Sequence, residues 1–436
     1  MHIAVIGAGY VGLVTGVGLA RIGDHRVTLV EKSPTRLHEL EAGIMPIEEP
    51  GLPEAFAAAR DRIDVVDTIE RVERPDLVFV AVGTPISDTG EPDLTQLLSA
   101  TNELRRFPDV HVSVRSTLPP GMSMRLPRLL GRRDGERVST NPEFLRQGSA
   151  VEDYSHPSRI IIGRFAETSD EHLALLEALF APIDAPRLHV DVAAAELIKN
   201  VSNAFLALKL SFVNEVAALS EEYGVEVDEV LAGIALDPRI GSSYMRPGLG
   251  FGGSCLPKEL QVISSAGRRR GLPMHVARAI GQVNVEQQDR FVRRILTELP
   301  AGEDVRVGLL GLSFKADTDD MRGSPAIHVA RRLLEEGHRV IAYDPAVRPD
   351  RAEAAAPGIE IVSSAEATFD QTDAVVIATE WPEFADLPLV ELGRRMRRCY
   401  LFDGRGLIDP SAAAAAGFHF RGVGRSSRDP NLVEVL

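Results

Sequence analysis

The chain has 436 residues, 44% hydrophobic and 25% charged. Those are proportions of a globular protein too long for one ordinary core, so two or three domains are expected. A net charge of −15 argues against nucleic acid or an anionic membrane as the main partner, yet local arginines can still build a pocket for an anionic small molecule. The two cysteines, Cys255 and Cys399, cannot form a disulfide framework and point to a cytoplasmic chain with free thiols.

Residues 3–20 carry no charge, but they include Gly7, Gly9, Gly12, Gly16 and Gly18, and no Lys or Arg precedes them. That pattern predicts strand, turn and helix rather than a signal peptide or a membrane span. His2–Ile6 reads as a strand, followed by Gly7-Ala8-Gly9-Tyr10-Val11-Gly12 and a helix to about Ile22. A second strand, Arg26–Val30, ends at Glu31, and Leu77–Val82 and His111–Val114 are further β-branched runs. Strands alternating with helices predict a parallel, doubly wound α/β sheet. Arg137–Ser139 is strand-like and leads into Asn141-Pro142-Glu143-Phe144-Leu145-Arg146-Gln147.

From Ala193 to about Tyr223 there is neither glycine nor proline, which predicts one long helix stopped by Gly224. More helix is expected over Asp228–Ala235 and Pro273–Leu299. Arg306–Leu310, a turn at Gly311, a helix over Ser324–Glu336 and strands Arg339–Tyr343, Ala374–Ala378 and Tyr400–Phe402 repeat the α/β design without the full glycine pattern. The expected fold is two Rossmann-like doubly wound α/β domains, residues 1–190 and 301–436. A long central helix and a helical dimerisation region, residues 191–300, join them.

The Gly7-x-Gly9-x-x-Gly12 turn sits between a strand and a helix, and Glu31 closes the second strand nineteen residues past Gly12. Such a turn lets a pyrophosphate reach a helix N-terminus, and an acidic residue at that spacing takes the ribose hydroxyls. NAD is therefore expected over NADP, with Lys32 and Arg36 nearby to soften the preference.

Cys255 lies in Gly248-Leu249-Gly250-Phe251-Gly252-Gly253-Ser254-Cys255-Leu256-Pro257-Lys258. The run is too rich in glycine for a helix or strand interior, and a thiol offered on such a bend is a candidate nucleophile. Joined to a nicotinamide cofactor, it suggests oxidation of an aldehyde through a thioester. Lys199 and Asn203 are four apart on the long helix, so they share a face and could hold an oxyanion. Lys199 sits among Leu197, Ile198 and Val201, which suggests burial; a solvated lysine is the plain alternative. Glu143 fits either a cleft or the start of a helix. Cys399 reads as packing. No residue spacing fits a metal, and there is neither a Gly-x-Ser-x-Gly nor a Walker loop.

Across essentially its whole length the chain resembles the nucleotide-sugar 6-dehydrogenase family, which includes UDP-glucose and GDP-mannose dehydrogenases. The resemblance rests on Gly7–Gly12, Val82-Gly83-Thr84-Pro85, Ser116-Thr117, 141–148, 195–199 with Asn203-Ala204, 250–258 and 311–325. It implies NAD-dependent oxidation of a sugar C6 alcohol to a carboxylate in two steps. Cys255 then matches the nucleophile, Lys199 and Asn203 the pair at the C6 oxygen, Glu143 the acid/base carboxylate, and Thr117 a threonine at the active-site water. Cofactor contacts are implied for Gly7, Gly9, Tyr10, Val11, Gly12, Glu31, Lys32, Arg36, Val82, Thr84, Pro85, Ser116, Thr117, Gln147, Lys258 and Arg322. Substrate contacts are implied for Glu143, Phe144, Leu145, Arg146, Lys199, Asn203, Arg239, Tyr244, Arg246, Gly252, Phe314, Lys315 and Arg405, with Arg239 reaching a neighbouring subunit's site in a homodimer.

Two departures stand out: Gln147 replaces a frequent acidic residue, and Glu259 an aspartate. The extra methylene keeps the charge of Glu259 and shifts its reach, and water activation is the role implied there. Asp237-Pro238-Arg239-Ile240-Gly241 resembles UDP-glucose enzymes, whereas 243–248 and 309–315 lean toward GDP-mannose enzymes. Ser254, where relatives using N-acetylated sugars carry His, argues against those sugars. UDP-glucose is the expected substrate, with GDP-mannose and dTDP-glucose as alternatives. A one-step dehydrogenase needing no cysteine and a catalytically silent nucleotide-sugar-binding protein are the readings from other classes.

Overall fold

The computed structural model describes residues 1–23, 25–87, 91–299 and 304–425. The chain forms two compact units, one of Met1–Ser202 with Gln261–Pro273, the other of Asn203–Leu260 with Met274 onward.

The first unit holds eight strands: β1 (His2–Ile6), β2 (Arg26–Val30), β3 (Ile63–Val66), β4 (Leu77–Val80), β5 (His111–Val114), β6 (Val138–Thr140), β7 (Ile160–Arg164) and β8 (Arg187–Asp191). They pair in the order β3-β2-β1-β4-β5-β6-β7-β8. All pairs are parallel except β6 with β7, which run antiparallel. Both faces are covered, which is why β1 is apolar and buried from Ile3 to Ile6. Ile3 and Val5 pack with Leu13, Leu29 and Phe79 on one face. Ala4 and Ile6 pack with Val78, Leu97 and Val112 on the other. The strand order reverses between β1 and β4, the switch point where such sheets bind ligands.

The second unit carries β9 (Arg306–Leu310), β10 (Arg339–Tyr343), β11 (Glu360–Ile361), β12 (Ala374–Ile377), β13 (Tyr400–Asp403) and β14 (His419–Gly422). All pairs are parallel, in the order β11-β10-β9-β12-β13-β14. The turn after β9 differs from the glycine turn after β1. Asp344, at the end of β10, accepts from the N–H groups of Leu312 at 2.7 Å and Ser313 at 3.0 Å. A side chain at Gly311 would meet Thr379 at 2.3 Å. The turn after β9 is thus filled by the protein's own groups.

Among the described residues no strand lies between β8 and β9. The long helix is Val192–Tyr223, running in the chain from the first unit into the second and ending at Gly224 with φ +70°. The later helices are Val227–Ala235 and His275–Glu298. The glycine-rich loop does not end at its proline: Pro257 lies in the first turn of a helix, Leu256–Arg268, where a missing N–H costs nothing. No helix among the described residues is long and apolar enough to cross a membrane.

Candidate active site

At the switch point of the first sheet, the turn after β1 enters the helix Tyr10–Ile22. A methyl group at Gly12 would stand 1.8 Å from the Gly7 carbonyl oxygen, so the turn closes only with glycine there. Gly9 differs: nothing lies within 4 Å of the position its side chain would take. That leaves room in front of the N–H groups opened by Tyr10 and Val11, the place for a pyrophosphate. Glu31 is buried at the end of β2, and its Oε1 accepts from Ser33 N at 2.8 Å. Lys32 is drawn aside, 3.1 Å from Ser99 Oγ and ion-paired with Glu103, so its charge is already answered. Arg36 is exposed. Beyond β4, Ser116 Oγ donates to Val82 O at 2.7 Å and Thr84 Oγ1 to Thr117 O at 2.8 Å. Pro85 O accepts from Asp93 N at 2.7 Å.

Glu143 lies in the loop between β6 and the helix Ala150–Ser155, so it is not a helix-terminal carboxylate. Its Oε1 accepts from Lys199 Nζ at 3.0 Å and its Oε2 from Leu145 N at 2.6 Å. Both partners are buried, Glu143 at 7% and Lys199 at 4% exposed. Burial works to raise the carboxyl of Glu143, but the Lys199 charge and the Leu145 N–H outweigh it and hold Glu143 below its ordinary range. Of the apolar neighbours read from sequence Ile198 is half-buried, but Leu197 and Val201 are exposed and do not bury Lys199. Phe144 does: its ring centroid is 5.3 Å from Nζ, and Arg159 stacks on the same ring at 3.9 Å. Asn203, one helical turn from Lys199, is also buried. Arg146 pairs with Asp153 at 2.6 Å, and its carbonyl accepts from Tyr10 Oη at 3.2 Å. Gln147 is half-buried in the same loop.

In the second unit, amide side chains shape the glycine-rich loop. Asn214 Oδ1 accepts from Gly248 N at 2.8 Å, Asn284 Oδ1 from Phe251 N at 2.8 Å, and Gln287 Nε2 donates to Gly248 O at 2.7 Å. Gly253 has φ +80°, and any side chain there would meet the Phe314 ring at 2.9 Å. At Gly252 a side chain would come closer still, 2.3 Å from the Gly323 carbonyl oxygen. Cys255 follows, exposed, immediately before the helix Leu256–Arg268. Lys258 is 3.8 Å from Glu259, which is buried in the same helix. Arg322 pairs with Asp320 at 2.6 Å, and that bond raises its guanidinium further above the usual range. Arg405 braces the loop, with Nη1 donating to Gly250 O at 3.4 Å, Nε to Ala378 O at 2.8 Å and Nη2 to Phe314 O at 3.2 Å. Lys315 lies 5.9 Å from the Phe314 ring. Tyr244 holds a left-handed φ of +59°. Arg239, paired with Asp237, and Arg246 are exposed.

Models of three domains of one family match in turn: the NAD-binding domain over residues 1–184, the central domain over 193–286 and the UDP-binding domain over 308–410. The chain belongs to the UDP-glucose/GDP-mannose dehydrogenase family. The UDP-glucose 6-dehydrogenase YwqF of Bacillus subtilis (strain 168) is 37% identical over 99% of both chains. Among solved structures, a UDP-glucose dehydrogenase from the hyperthermophilic archaeon Pyrobaculum islandicum superposes with a TM-score of 0.88 at 38% identity over 98% of each chain. A UDP-D-ManNAc dehydrogenase from Pyrococcus horikoshii gives 0.87 at 27% identity, over 98% of this chain and 100% of its own.

This dehydrogenase is an NAD-dependent enzyme acting on a nucleotide sugar, and the open space at Gly9 with Glu31 at the end of β2 fits NAD. Sequence reasoning missed one contributor. Glu49, buried between two proline-bounded turns, accepts from Tyr10 Oη, from Gly148 N at 2.7 Å and from Ala150 N at 2.6 Å. It ties the start of the cofactor helix to the loop bearing Glu143, and burial together with Glu49 raises the Tyr10 phenol far above its ordinary range. The only sequence signal was a carboxylate enclosed in Pro46-Ile47-Glu48-Glu49-Pro50. Among the described residues no cluster could hold a metal ion.

Proposed function

We propose that this chain oxidises the C6 alcohol of UDP-glucose to the carboxylate of UDP-glucuronate through a covalent intermediate on Cys255. Full-length similarity, at 37% and 38% identity, to proteins named UDP-glucose dehydrogenases carries the substrate. The exposed thiol on a loop built by glycines and amides carries the covalent route.

NAD, held at the Gly7–Gly12 turn and by Glu31, would supply the hydride acceptor for each of the two oxidations. Cys255 Sγ adds to the aldehyde carbon and the proton passes to its oxygen, so C6 is held as a thiohemiacetal, then at the acid level as a thioester. Water adds to that carbon, the C6–S bond breaks, the thiol takes back a proton and the carboxylate leaves. Lys199, with Asn203, stabilises negative charge on the C6 oxygen. Glu143, kept ionised beside Lys199, accepts protons from the alcohol and from water. Thr117 is assigned to that water, and Glu259 supplies a second carboxylate. Gly7, Gly9, Tyr10, Val11, Gly12, Glu31, Arg36, Val82, Thr84, Pro85, Ser116, Gln147, Lys258 and Arg322 are assigned to the cofactor, and Lys32 to its border. Phe144, Leu145, Arg146, Arg239, Tyr244, Arg246, Gly252, Phe314, Lys315 and Arg405 are assigned to the nucleotide sugar.

The chain is further proposed to act as a cytoplasmic homodimer with a division at 1–190, 191–300 and 301–436. An NADH assay with UDP-glucose, dTDP-glucose and GDP-mannose tests the substrate. UDP-glucose is expected to give the highest kcat/KM; a higher value with GDP-mannose would favour the reading suggested by residues 243–248.

A further inference from the structure

The turn after β5 carries Ser116 and Thr117 and is held from two directions. At its start, the N–H groups of Arg115 and Ser116 donate to Val80 O at 2.8 and 3.0 Å, and Thr84 Oγ1 donates to Thr117 O. Its later part is held by two side chains of the helix Val192–Tyr223. Glu196 accepts from Gly121 N through Oε2 at 2.7 Å and from Ser123 N through Oε1. Asn200 Nδ2 donates to Leu118 O at 3.1 Å and to Glu196 O at 2.7 Å. Both side chains are buried, Asn200 completely. Burial raises the carboxyl of Glu196, opposed by the Gly121 and Ser123 N–H groups.

A buried carboxylate is a costly way to seat a loop, and apolar contacts would give comparable adhesion. What it adds is direction, because charge-assisted bonds to two backbone N–H groups fix the loop in one position. That position is referred to the catalytic helix: Glu196 and Asn200 are one turn apart and flank Lys199, whose Nζ reaches Glu143.

We propose that Glu196 and Asn200 are positioning residues that hold Thr117 in register with Lys199 and Glu143, and that they act on thioester hydrolysis. The inference rests on the assignment of Thr117 to the hydrolytic water. In that step water adds to the acyl carbon, the C–S bond breaks with its electron pair going to sulfur, one water proton goes to Cys255 and the other is released. A displaced Thr117 slows this step and leaves the preceding oxidations alone.

Stopped-flow NADH absorbance under saturating UDP-glucose and NAD tests it on Glu196→Gln, Asn200→Ala and Thr117→Val. Each variant is expected to give a burst of about two NADH per chain, then a steady-state rate lowered on the order of ten- to a hundred-fold, with KM falling alongside so that kcat/KM stays within about two-fold. A variant that lowers the denaturation midpoint yet turns over normally without a burst would show a purely structural role and overturn the proposal. Asn200→Ala keeps the test open if Glu196→Gln fails to fold. A burst in Thr117→Val alone would refute the positioning role and leave the Thr117 assignment standing. Normal turnover in Thr117→Val would remove that assignment and the proposal with it.

Discussion

Lys199 is a buried cation with a buried anion 3.0 Å away, so its removal has two effects that can be separated. Lys199→Ala is expected to lower kcat by about two to three decades through loss of charge stabilisation at the C6 oxygen. It also strands Glu143, which should cost about 3 kcal/mol of stability. Adding Glu143→Gln should restore stability without restoring kcat; recovery of turnover in the double variant would show that Lys199 is structural. The folded carboxyl of Glu143 lies below its ordinary 4.5, so its contribution is present above that pH and lost as pH falls through the folded value. At Cys255, alanine or serine should nearly abolish conversion to the acid, because serine is the poorer nucleophile near neutral pH and the worse leaving group. Steady oxidation to the carboxylate by the alanine variant would rule out the thioester. At Glu31, like charge should make kcat/KM for NADP at least about ten-fold lower than for NAD, since Lys32 is already bound to Glu103; equal values would contradict that reading.

Elements were readable where periodicity and turn chemistry agree. β1, β2, β5, β9 and β10 lie where apolar runs meet glycine or acidic turns, and the long helix starts within one residue of the expected place. The antiparallel β7 was not anticipated, since Ile160-Ile161-Ile162 reads the same in either direction. Contacts between distant segments were also unreadable: Glu49 with Gly148, and the buried pair His111 and His172. Their Nδ1 atoms are 2.9 Å apart, and they join β5 to the helix Asp170–Phe180. Burial, with the His111, Arg132 and Arg137 charges, pushes His172 down to about 3 from 6.5; burial and Arg137 push His111 down, against Glu171. A histidine depressed in the fold leaves stability intact above pH 6.5 and erodes it as pH falls from 6.5 toward 3. Unfolding free energy should drop by about 1.4 kcal/mol per pH unit for each proton gained on unfolding. His172→Asn should flatten that slope, measured by urea unfolding from pH 7 to 5, and an unchanged slope would exclude the pair as its source.

At the scale of the molecule, the exposed face of the long helix raises the question of a partner. Leu197, Val201, Phe205, Phe212, Leu219 and Tyr223 recur at spacings of four and seven and stay exposed, Phe205 at 60%. A second copy would cover such a stripe. Light scattering at micromolar concentration should give a dimer mass for the native chain and a monomer mass for Phe205→Glu/Phe212→Glu; a native monomer with full activity would refute the dimer. The two α/β units divide the chemistry more deeply, because only the first has an open dinucleotide turn, while Asp344 and Thr379 fill the second. With that one open dinucleotide turn among the described residues, the proposed route uses a single cofactor site for both oxidations of one sugar. The most direct measurement is the yield of NADH with UDP-glucose limiting and NAD in excess. The two-step covalent route predicts two NADH for each UDP-glucose consumed, with UDP-glucuronate as product. One NADH per sugar, with the aldehyde released, would contradict it.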